Sequence, residues 1–395
     1  MISKKMETLI AGSSMIRAMF EESKKLAAVY GEENVYDFSL GNPYFPPPAE
    51  VRQAVEKILD TPDPMYVHGY PNNSGYPEVR EKIAASINRR FGTAFAGNNI
   101  VMSVGAAGGL NVILKTLLNP GEEIVAFAPY FGEYKNYAEN FGANLLVTAP
   151  QPPDFNPNFK ELREILTPKT RAVIVNSPNN PTGVIYSEET IQELAAILEE
   201  KQKEFGTDIY ILADEPYREL VYTDKKVPYI TKYYDNTIVG YSYSKSLSLP
   251  GDRIGYVVVP DEAADSAIIL EGANTATRIL GFVNAPSLMQ LVAAECVDLE
   301  IDPGNYQKNG EALYQGLTDL GLECVKPEGA FYLFVKSPIA DDKEFAAKAK
   351  EFLLLITPGT AFGCPGYVRL AYCTSYKKIM GSMPGFKKLM ESIRG

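Results

Sequence analysis

The chain has 395 residues, 46% hydrophobic and 22% charged, as expected for a soluble globular protein of two domains, or of one large domain with a smaller appendage. Its formal net charge of −11 argues against a nucleic-acid partner and leaves no basic patch for a membrane surface. His68 is the single histidine, which excludes a multi-histidine metal site, and no metal is expected.

The chain ends and the cysteines indicate the compartment. The N-terminal residues lack the apolar core of a secretory signal peptide, and no segment approaches the ~20 apolar residues of a membrane span. The cysteines are widely spaced at Cys296, Cys324, Cys364 and Cys373. We expect them to be reduced, which favours a cytoplasmic location.

Apolar runs of strand length alternate with helical patterns along the first two thirds of the chain. The predicted strands are 124–127, 145–148, 172–175, 209–213, 237–240 and 254–258. One predicted helix follows Gly109, and another follows Ser187, a predicted N-cap. This alternation predicts a mostly parallel sheet with helices on both faces.

The last third of the chain changes character. Strands are predicted near 324–338 and 367–373, and helices near 342–354 and 377–394. With an N-terminal helix near 14–30, these elements predict a smaller α+β domain. The expected division is a large domain of residues 45–285 and a small domain of residues 1–44 and 286–395.

Two predicted strands end in polar groups. The run before Asp214 places that carboxylate at the carboxyl end of a strand, where ligands bind in open α/β sheets. Asp214 could keep a pyridine nitrogen protonated, and Tyr217 could donate to a phenolic oxygen. Asn180 follows another strand in a Pro-Thr-Gly loop, and its amide can recognise a phenolate. The alternatives are a helix N-cap at Asp214 and a plain turn at Asn180.

The segment from Ser242 to Gly255 combines a lysine with an arginine. Lys245 lies among hydroxyl side chains, and Arg253 follows eight residues later. Such a lysine can condense with an aldehyde, and an arginine can hold a phosphate with its planar fork of donors. An aldehyde and a phosphate together describe pyridoxal 5'-phosphate. The alternative is a solvated turn.

Together these segments resemble the pyridoxal-phosphate-dependent aminotransferases of fold type I, class I/II, the aspartate aminotransferase-like family. The similarity runs from Gly41 to Arg369, with the motifs in the family's order. They are Leu40-Gly-Asn-Pro43, Tyr70 with Gly75, Gly105-Ala-Ala-Gly-Gly109, Pro129-Tyr-Phe131, Asn180-Pro-Thr-Gly183, Asp214 with Tyr217, Lys245 with Arg253, and Arg369. The resemblance implies an α/β fold, with a large cofactor-binding domain around a mostly parallel mixed sheet flanked by helices and a smaller α+β domain.

The resemblance also implies the cofactor, pyridoxal 5'-phosphate, and its ligands. Lys245 matches the Schiff-base lysine and general base, and Asp214 matches the partner of the ring nitrogen. Tyr217 and Asn180 match the partners of the ring oxygen, and Phe131 matches the ring that stacks on the pyridine. The phosphate ligands are matched by Arg253, Ser242 and Ser244. Gly105, Ala106 and Ala107 match the phosphate loop before a helix. Typical members carry a hydroxyl or a lysine at the position of Ala107, so we expect backbone N–H groups and Arg253 to bind more of the phosphate. Tyr70 matches a tyrosine that reaches the partner's phosphate in a homodimer.

The implied reaction is ping-pong transfer of an amino group from an L-amino acid to a 2-oxo acid such as 2-oxoglutarate. Arg369 matches the ligand of the substrate α-carboxylate, with Gly41, Asn42 and Asn180 beside the substrate. Aspartate is the favoured donor on family frequency, with aromatic amino acids and alanine as alternatives. In some members of the family an arginine of the partner subunit binds a distal carboxylate. Arg278 lies near the corresponding sequence position but is not in register with it.

Other interpretations of the same motifs stay open. A carbon–sulfur β-lyase shares the lysine, aspartate and arginine motifs of this scaffold. A non-enzymatic cofactor-binding sensor is disfavoured, because the chain lacks an added basic helix-turn-helix segment. Phe331 and Tyr332 either line the side-chain pocket or belong to the core.

Overall fold

The fold, a computed structural model, is described for residues 2–11 and 15–394. The strands in these ranges are Tyr36–Asp37 (β1), Ile100–Ser103 (β2), Glu123–Phe127 (β3), Asn144–Thr148 (β4), Thr170–Asn176 (β5), Tyr210–Asp214 (β6), Thr237–Ser242 (β7), Gly255–Val258 (β8), Cys324–Val325 (β9), Tyr332–Lys336 (β10), Leu354–Leu355 (β11), Thr357–Pro358 (β12) and Tyr367–Ala371 (β13). The α-helices are Lys4–Ala11 (α1), Met15–Tyr30 (α2), Ala49–Leu59 (α3), Pro64–His68 (α4), Pro77–Phe91 (α5), Gly105–Leu117 (α6), Glu133–Asn140 (α7), Phe159–Ile165 (α8), Glu188–Phe205 (α9), Tyr243–Ser246 (α10), Ser266–Ile279 (α11), Ser287–Glu295 (α12), Gly304–Asp319 (α13), Asp342–Glu351 (α14) and Tyr376–Arg394 (α15).

A seven-stranded sheet forms the larger part of the fold. Its strand order is β2-β8-β7-β6-β5-β3-β4, and β8 runs antiparallel to both of its neighbours while the other pairs are parallel. The pairing places Asn176 opposite Asp214, and Asp214 opposite Gly240. The carboxyl ends of β5, β6 and β7 therefore meet at one edge of the sheet.

Helices cover both faces of this sheet, because its central strands are apolar on both sides. Val173 and Ile211 pack into one apolar cluster with α5, α9 and α12. Their chain neighbours Ile174 and Leu212 pack into a second cluster with α6 and α11 on the opposite face. The two-residue period of the strands therefore separates two cores across the sheet.

A four-stranded antiparallel sheet, in the order β12-β13-β10-β9, forms the second part of the fold. It packs with α13, α14 and α15 around a third apolar cluster. The short strand β1 joins this part through parallel pairing with β11, and the Ala371 N–H donates to the Phe38 carbonyl. Ser39, Leu40 and Gly41 are thereby held beside β13.

The predicted fold class is confirmed, and the differences concern local elements. Ser187 does cap α9, because its side chain accepts from the Thr190 N–H. The strand β2 was missed. The prediction of one continuous strand over 324–338 was wrong. Residues 326–331 leave the sheet between β9 and β10. They do so because the N–H groups of Glu328 and Gly329 donate to the Gly183 carbonyl and not to a neighbouring strand. The predicted helix 342–354 ends earlier, because residues 354 and 355 pair with β1.

The predicted helix near 14–30 is α2, which starts at Met15, and Ser14 lies outside the described residues. None of the helices in ranges 2–11 and 15–394 has both the length and the apolar character needed to cross a bilayer. The exact domain boundaries stay a prediction.

One buried ion pair generates a stability prediction. Arg218 pairs with Glu215, and the two side chains are only 4% and 3% exposed. Arg218→Ala leaves the Glu215 carboxylate buried without its cation, so we expect a loss of about 3–5 kcal/mol of unfolding free energy in urea titrations. The control is Arg163→Ala, which removes an exposed partner of Glu200 and should cost less than about 1 kcal/mol. Equal losses for the two variants would contradict the prediction.

Candidate active site

A cavity of about 260 Å³ opens at the edge where β5, β6 and β7 end. The predicted residues that line it are Gly41, Ala106, Ala107, Phe131, Asn180, Tyr217, Ser242, Ser244, Lys245, Arg253 and Arg369. Leu40, Pro216, Pro250 and Tyr332 complete its wall. A smaller adjoining pocket shares several of these residues and adds Asp214. The structure therefore brings most of the predicted residues together.

Lys245 is placed by the short helix α10, which begins directly after β7. The Ser242 hydroxyl caps this helix by accepting from the Ser244 N–H at 3.2 Å. The Lys245 Nζ donates to the Gly41 carbonyl at 2.6 Å. Burial lowers the pKa of Lys245 to about 8, with Arg369 and Arg253 acting in the same direction. A substantial fraction of the amine is thus neutral near pH 8, as a nucleophile or base requires.

Asp214 is a buried carboxylate with one oxygen engaged. Its Oδ2 accepts from the Tyr134 hydroxyl at 2.6 Å, while its Oδ1 has no hydrogen-bond partner in the described structure. Burial raises the pKa of Asp214 to about 6, although the bond from Tyr134 opposes that shift. A buried acceptor without a donor is rare in proteins, and a protonated ring nitrogen is such a donor.

Tyr217 and Asn180 face the cavity from neighbouring loops. The Tyr217 hydroxyl lies 2.8 Å from the Tyr332 hydroxyl. Burial is the main cause that raises the pKa of Tyr217 well above its ordinary value, and the neighbouring Tyr332 adds to it. The Asn180 Oδ1 accepts from Arg369 at 3.0 Å, so its amide N–H₂ group is the one left for a ligand. The Asn176 side chain fixes this arrangement, because it donates to the Asp214 carbonyl and accepts from the Asn180 N–H.

An anion cradle lies at the N-terminus of α6, a helix of 13 residues. Gly105 begins it with a φ of +71°, and a Cβ there would lie 2.6 Å from an Arg253 Nη. Only glycine therefore permits this approach of the helix to the guanidinium. The Ser242 and Ser244 hydroxyls lie 2.7 Å apart, and an Arg253 Nη lies 3.5 Å from the Ser244 hydroxyl. Backbone N–H groups, a guanidinium and hydroxyls suit a phosphate.

Arg369 is a buried cation without a carboxylate. One Nη donates to Asn180 and the other to the Ser39 carbonyl, while the Nε has no partner. Its guanidinium lies 4.6 Å and 4.7 Å from the ring centroids of Tyr332 and Phe362. Burial lowers the pKa of Arg369, and no carboxylate of the described residues forms an ion pair with it. A buried charge needs an opposite charge, so this site favours an anionic ligand.

Some predicted residues lie outside the cavity wall. Asn42 is exposed, Tyr70 is 90% exposed, and Arg278 is exposed at the end of α11. Their roles stay predictions, and those of Tyr70 and Arg278 require a second protomer. Sequence reasoning missed Tyr134 and the Ser39 carbonyl. Tyr134 follows the predicted Phe131 by three residues and packs against its ring, and this closeness in the chain was the available signal.

The lysine, the buried acid and the anion cradle lie around one cavity on this fold, in an arrangement that suits a pyridoxal-phosphate-dependent enzyme. The sequence profile described as aminotransferase class I and II matches residues 33–379, so the chain belongs to this family of enzymes. Membership implies pyridoxal 5'-phosphate as the cofactor. The unpartnered Asp214 oxygen and the Gly105 cradle fit its two ends.

Individual relatives agree with this assignment. The chain is 30% identical over 400 positions to an aspartate aminotransferase of Pyrococcus horikoshii, covering 97% of this chain and 96% of the relative. It is 28% identical over 390 positions to aromatic-amino-acid aminotransferase 2 of Thermococcus litoralis, covering 96% of each. The crystal structure of an amino transferase from Eubacterium rectale matches with a TM-score of 0.96 and 45% identity over 100% of both chains.

The raised pKa of Asp214 predicts an unusual pH dependence of stability. Between its ordinary value of 3.8 and about 6, the folded protein keeps a proton that the unfolded chain has released, so this group makes stability fall as pH rises. We therefore expect cofactor-free Asp214→Asn to exceed the wild type at pH 8 by up to about 3 kcal/mol of unfolding free energy. The difference should vanish below pH 4.

Asp298 supplies a control of opposite sign. A hydrogen bond from Ser86, supported by Arg89, lowers the pKa of Asp298, so Asp298→Asn should lose stability at pH 8. Urea unfolding from pH 3 to pH 8 measures both variants. An Asp214→Asn protein less stable than the wild type at pH 8 would contradict the prediction.

Proposed function

We propose that this enzyme transfers the amino group of an L-amino acid to a 2-oxo acid such as 2-oxoglutarate by a ping-pong mechanism. The observation that carries the proposal is a buried Arg369 without a carboxylate partner in the same cavity as Lys245. A substrate α-carboxylate bound to Arg369 would present its Cα toward the lysine amine.

The residues of this chain would hold the cofactor at both ends. Asp214 would accept from the ring nitrogen, Tyr217 and Asn180 would donate to the ring oxygen, and Phe131 would stack on the ring. The N-terminus of α6, Arg253, Ser242 and Ser244 would bind the phosphate. When bound, pyridoxal 5'-phosphate supplies a ring that stabilises negative charge at the substrate Cα.

Lys245 is the proposed proton carrier at the substrate Cα. Burial brings its pKa down to about 8, so near that pH the amine exists in both the protonated and the neutral form. It can therefore remove a proton and return it. Arg369 orients the substrate through its fork of donors, and the apolar side chains of Leu40, Phe131 and Pro216 line the cavity beside it.

Aspartate is the proposed donor, supported by the name of the Pyrococcus horikoshii relative. A second candidate donor is an amino acid with an apolar or aromatic side chain. Among the described residues, the cations that line the cavity are Lys245, Arg253 and Arg369. Each of these already has a proposed role, so a distal carboxylate would need a cation from elsewhere. The partner subunit's Arg278 is the proposed source in a homodimer.

The same homodimer would bring Tyr70 of one protomer to the phosphate of the other, and both the dimer and a cytoplasmic location belong to the proposal. The names of the relatives favour amino transfer over a carbon–sulfur β-lyase reaction.

Visible absorbance of the cofactor-loaded protein tests the reaction directly. Single L-amino acids are added to the protein near neutral pH. We expect one of them to remove the visible absorbance of the bound cofactor, and we expect 2-oxoglutarate to restore it. Persistent colour with every amino acid, or release of pyruvate and thiol from cystathionine, would overturn amino transfer.

Arg369 variants test how the substrate binds. Arg369→Leu removes the charged partner of the α-carboxylate, so we expect kcat/KM to fall about 10²–10³-fold, with the cofactor absorbance retained. Arg369→Lys should recover only part of this loss, because lysine lacks the planar fork. Steady-state kinetics measure both variants, and an unchanged kcat/KM would contradict the proposed role.

Arg278→Leu separates the two candidate donors. If aspartate is the donor, we expect the variant to lose at least about tenfold in kcat/KM for aspartate, as for a lost charged contact, and little for phenylalanine. The comparison of the two substrates within one variant is the control. A wild type that prefers phenylalanine and an Arg278→Leu protein with unchanged kinetics would support the apolar donor instead.

A further inference from the structure

Tyr332 lies where the two sheets meet. It begins β10 of the four-stranded sheet, is only 2% exposed, and lines the cavity. Its side chain contacts Tyr217 from the seven-stranded part and Arg369 on β13, and it lies against Gly41. One side chain therefore touches three positions that matter for the proposed reaction.

The hydroxyl pair of Tyr332 and Tyr217 constrains the direction of one hydrogen. Only one hydrogen can lie between two oxygens 2.8 Å apart. When a ligand oxygen in the cavity accepts from Tyr217, the Tyr332 hydroxyl is free to donate to Tyr217. Consecutive hydrogen bonds of this kind polarise and strengthen each other. Tyr332 would thus make Tyr217 a better donor toward the ligand.

The ring and the hydroxyl of Tyr332 have separate effects. The ring faces the Arg369 guanidinium at 4.6 Å, a cation–π distance. The hydroxyl occupies the space that a Cβ at position 41 would need, so only glycine fits there without displacement. The Gly41 carbonyl in turn accepts from Lys245. Tyr332 therefore also bounds the backbone segment to which the lysine is bonded.

We propose that Tyr332 is a positioning residue that directs the Tyr217 hydroxyl toward the ring oxygen of the cofactor and fixes the plane of the Arg369 guanidinium. This inference rests on the proposed function, because it takes the roles of Tyr217 and Arg369 from there. The hydroxyl and the ring can be tested separately.

The hydroxyl is tested by Tyr332→Phe in the cofactor-loaded enzyme, through the pH midpoint of its visible absorbance. A hydrogen bond that Tyr217 donates to the ring oxygen of the cofactor stabilises the anionic form of that oxygen. The oxygen then attracts less strongly the neighbouring cofactor proton whose loss changes the visible absorbance. Weakening that bond should therefore raise the midpoint. We expect an upward shift of about 0.1–0.3 pH unit, a fraction of the effect of one hydrogen bond, with the KM of the amino donor nearly unchanged.

The ring is tested by Tyr332→Leu. This variant should show the same shift and in addition a KM raised about five- to thirtyfold, because the cation–π contact with Arg369 is lost. The control is Tyr229→Phe. Tyr229 is buried and does not line the cavity, and its hydroxyl has no hydrogen-bond partner among the described residues. This variant should keep the wild-type pH midpoint and the wild-type KM.

The double variant Tyr217→Phe/Tyr332→Phe decides whether Tyr332 acts through Tyr217. We expect its midpoint shift to equal that of Tyr217→Phe alone, because the second hydroxyl has nothing left to orient. Additive shifts, or a Tyr332→Phe protein with the wild-type midpoint, would overturn the inference while the proposed function stands. A wild-type protein whose absorbance does not respond to any amino acid would instead overturn the proposed function.

Discussion

The site depends on charges that are buried without a counter-charge. Within residues 2–11 and 15–394, Asp214 has one carboxylate oxygen without a donor, Arg369 has no carboxylate partner, and the hydrogen bond of Lys245 goes to a backbone carbonyl. Burial shifts the pKa of each group toward its neutral form. A cationic ring nitrogen beside Asp214 and an anionic carboxylate beside Arg369 would each supply the missing opposite charge.

The two sheets hold these groups in place by different means. Parallel register aligns Asn176 with Asp214 and delivers Lys245 directly after the next strand. The side of the cavity that carries Arg369 is built from the antiparallel β13 and from the segment after β1. The proposed cofactor ligands are thus carried mainly by one sheet, and Arg369 by the other. Tyr332 connects the two through its hydroxyl and its ring.

Much of this arrangement could be predicted from the sequence. Apolar runs that end in Asp214 or precede Lys245 mark buried strands that meet at a common edge, and the motif order supplied the family. Tyr134 could not be predicted as the partner of Asp214, because the two lie 80 positions apart and only the packing of α7 brings them together. The break between β9 and β10 escaped prediction for a similar reason, since the N–H groups of residues 328 and 329 bond to a loop 145 positions earlier.

The pairing of β1 with β11 has a consequence for how the protein is made. Tyr36 lies beside Leu354, and the Phe38 carbonyl accepts from Ala371, so residues 36–38 take their places against the last part of the chain. During synthesis on a ribosome the strands of the seven-stranded sheet are complete by residue 258, whereas Leu354 and Ala371, which pair with this N-terminal segment, follow 96 and 113 residues later. The part of the cavity that carries Arg369, the proposed substrate ligand, is therefore completed last.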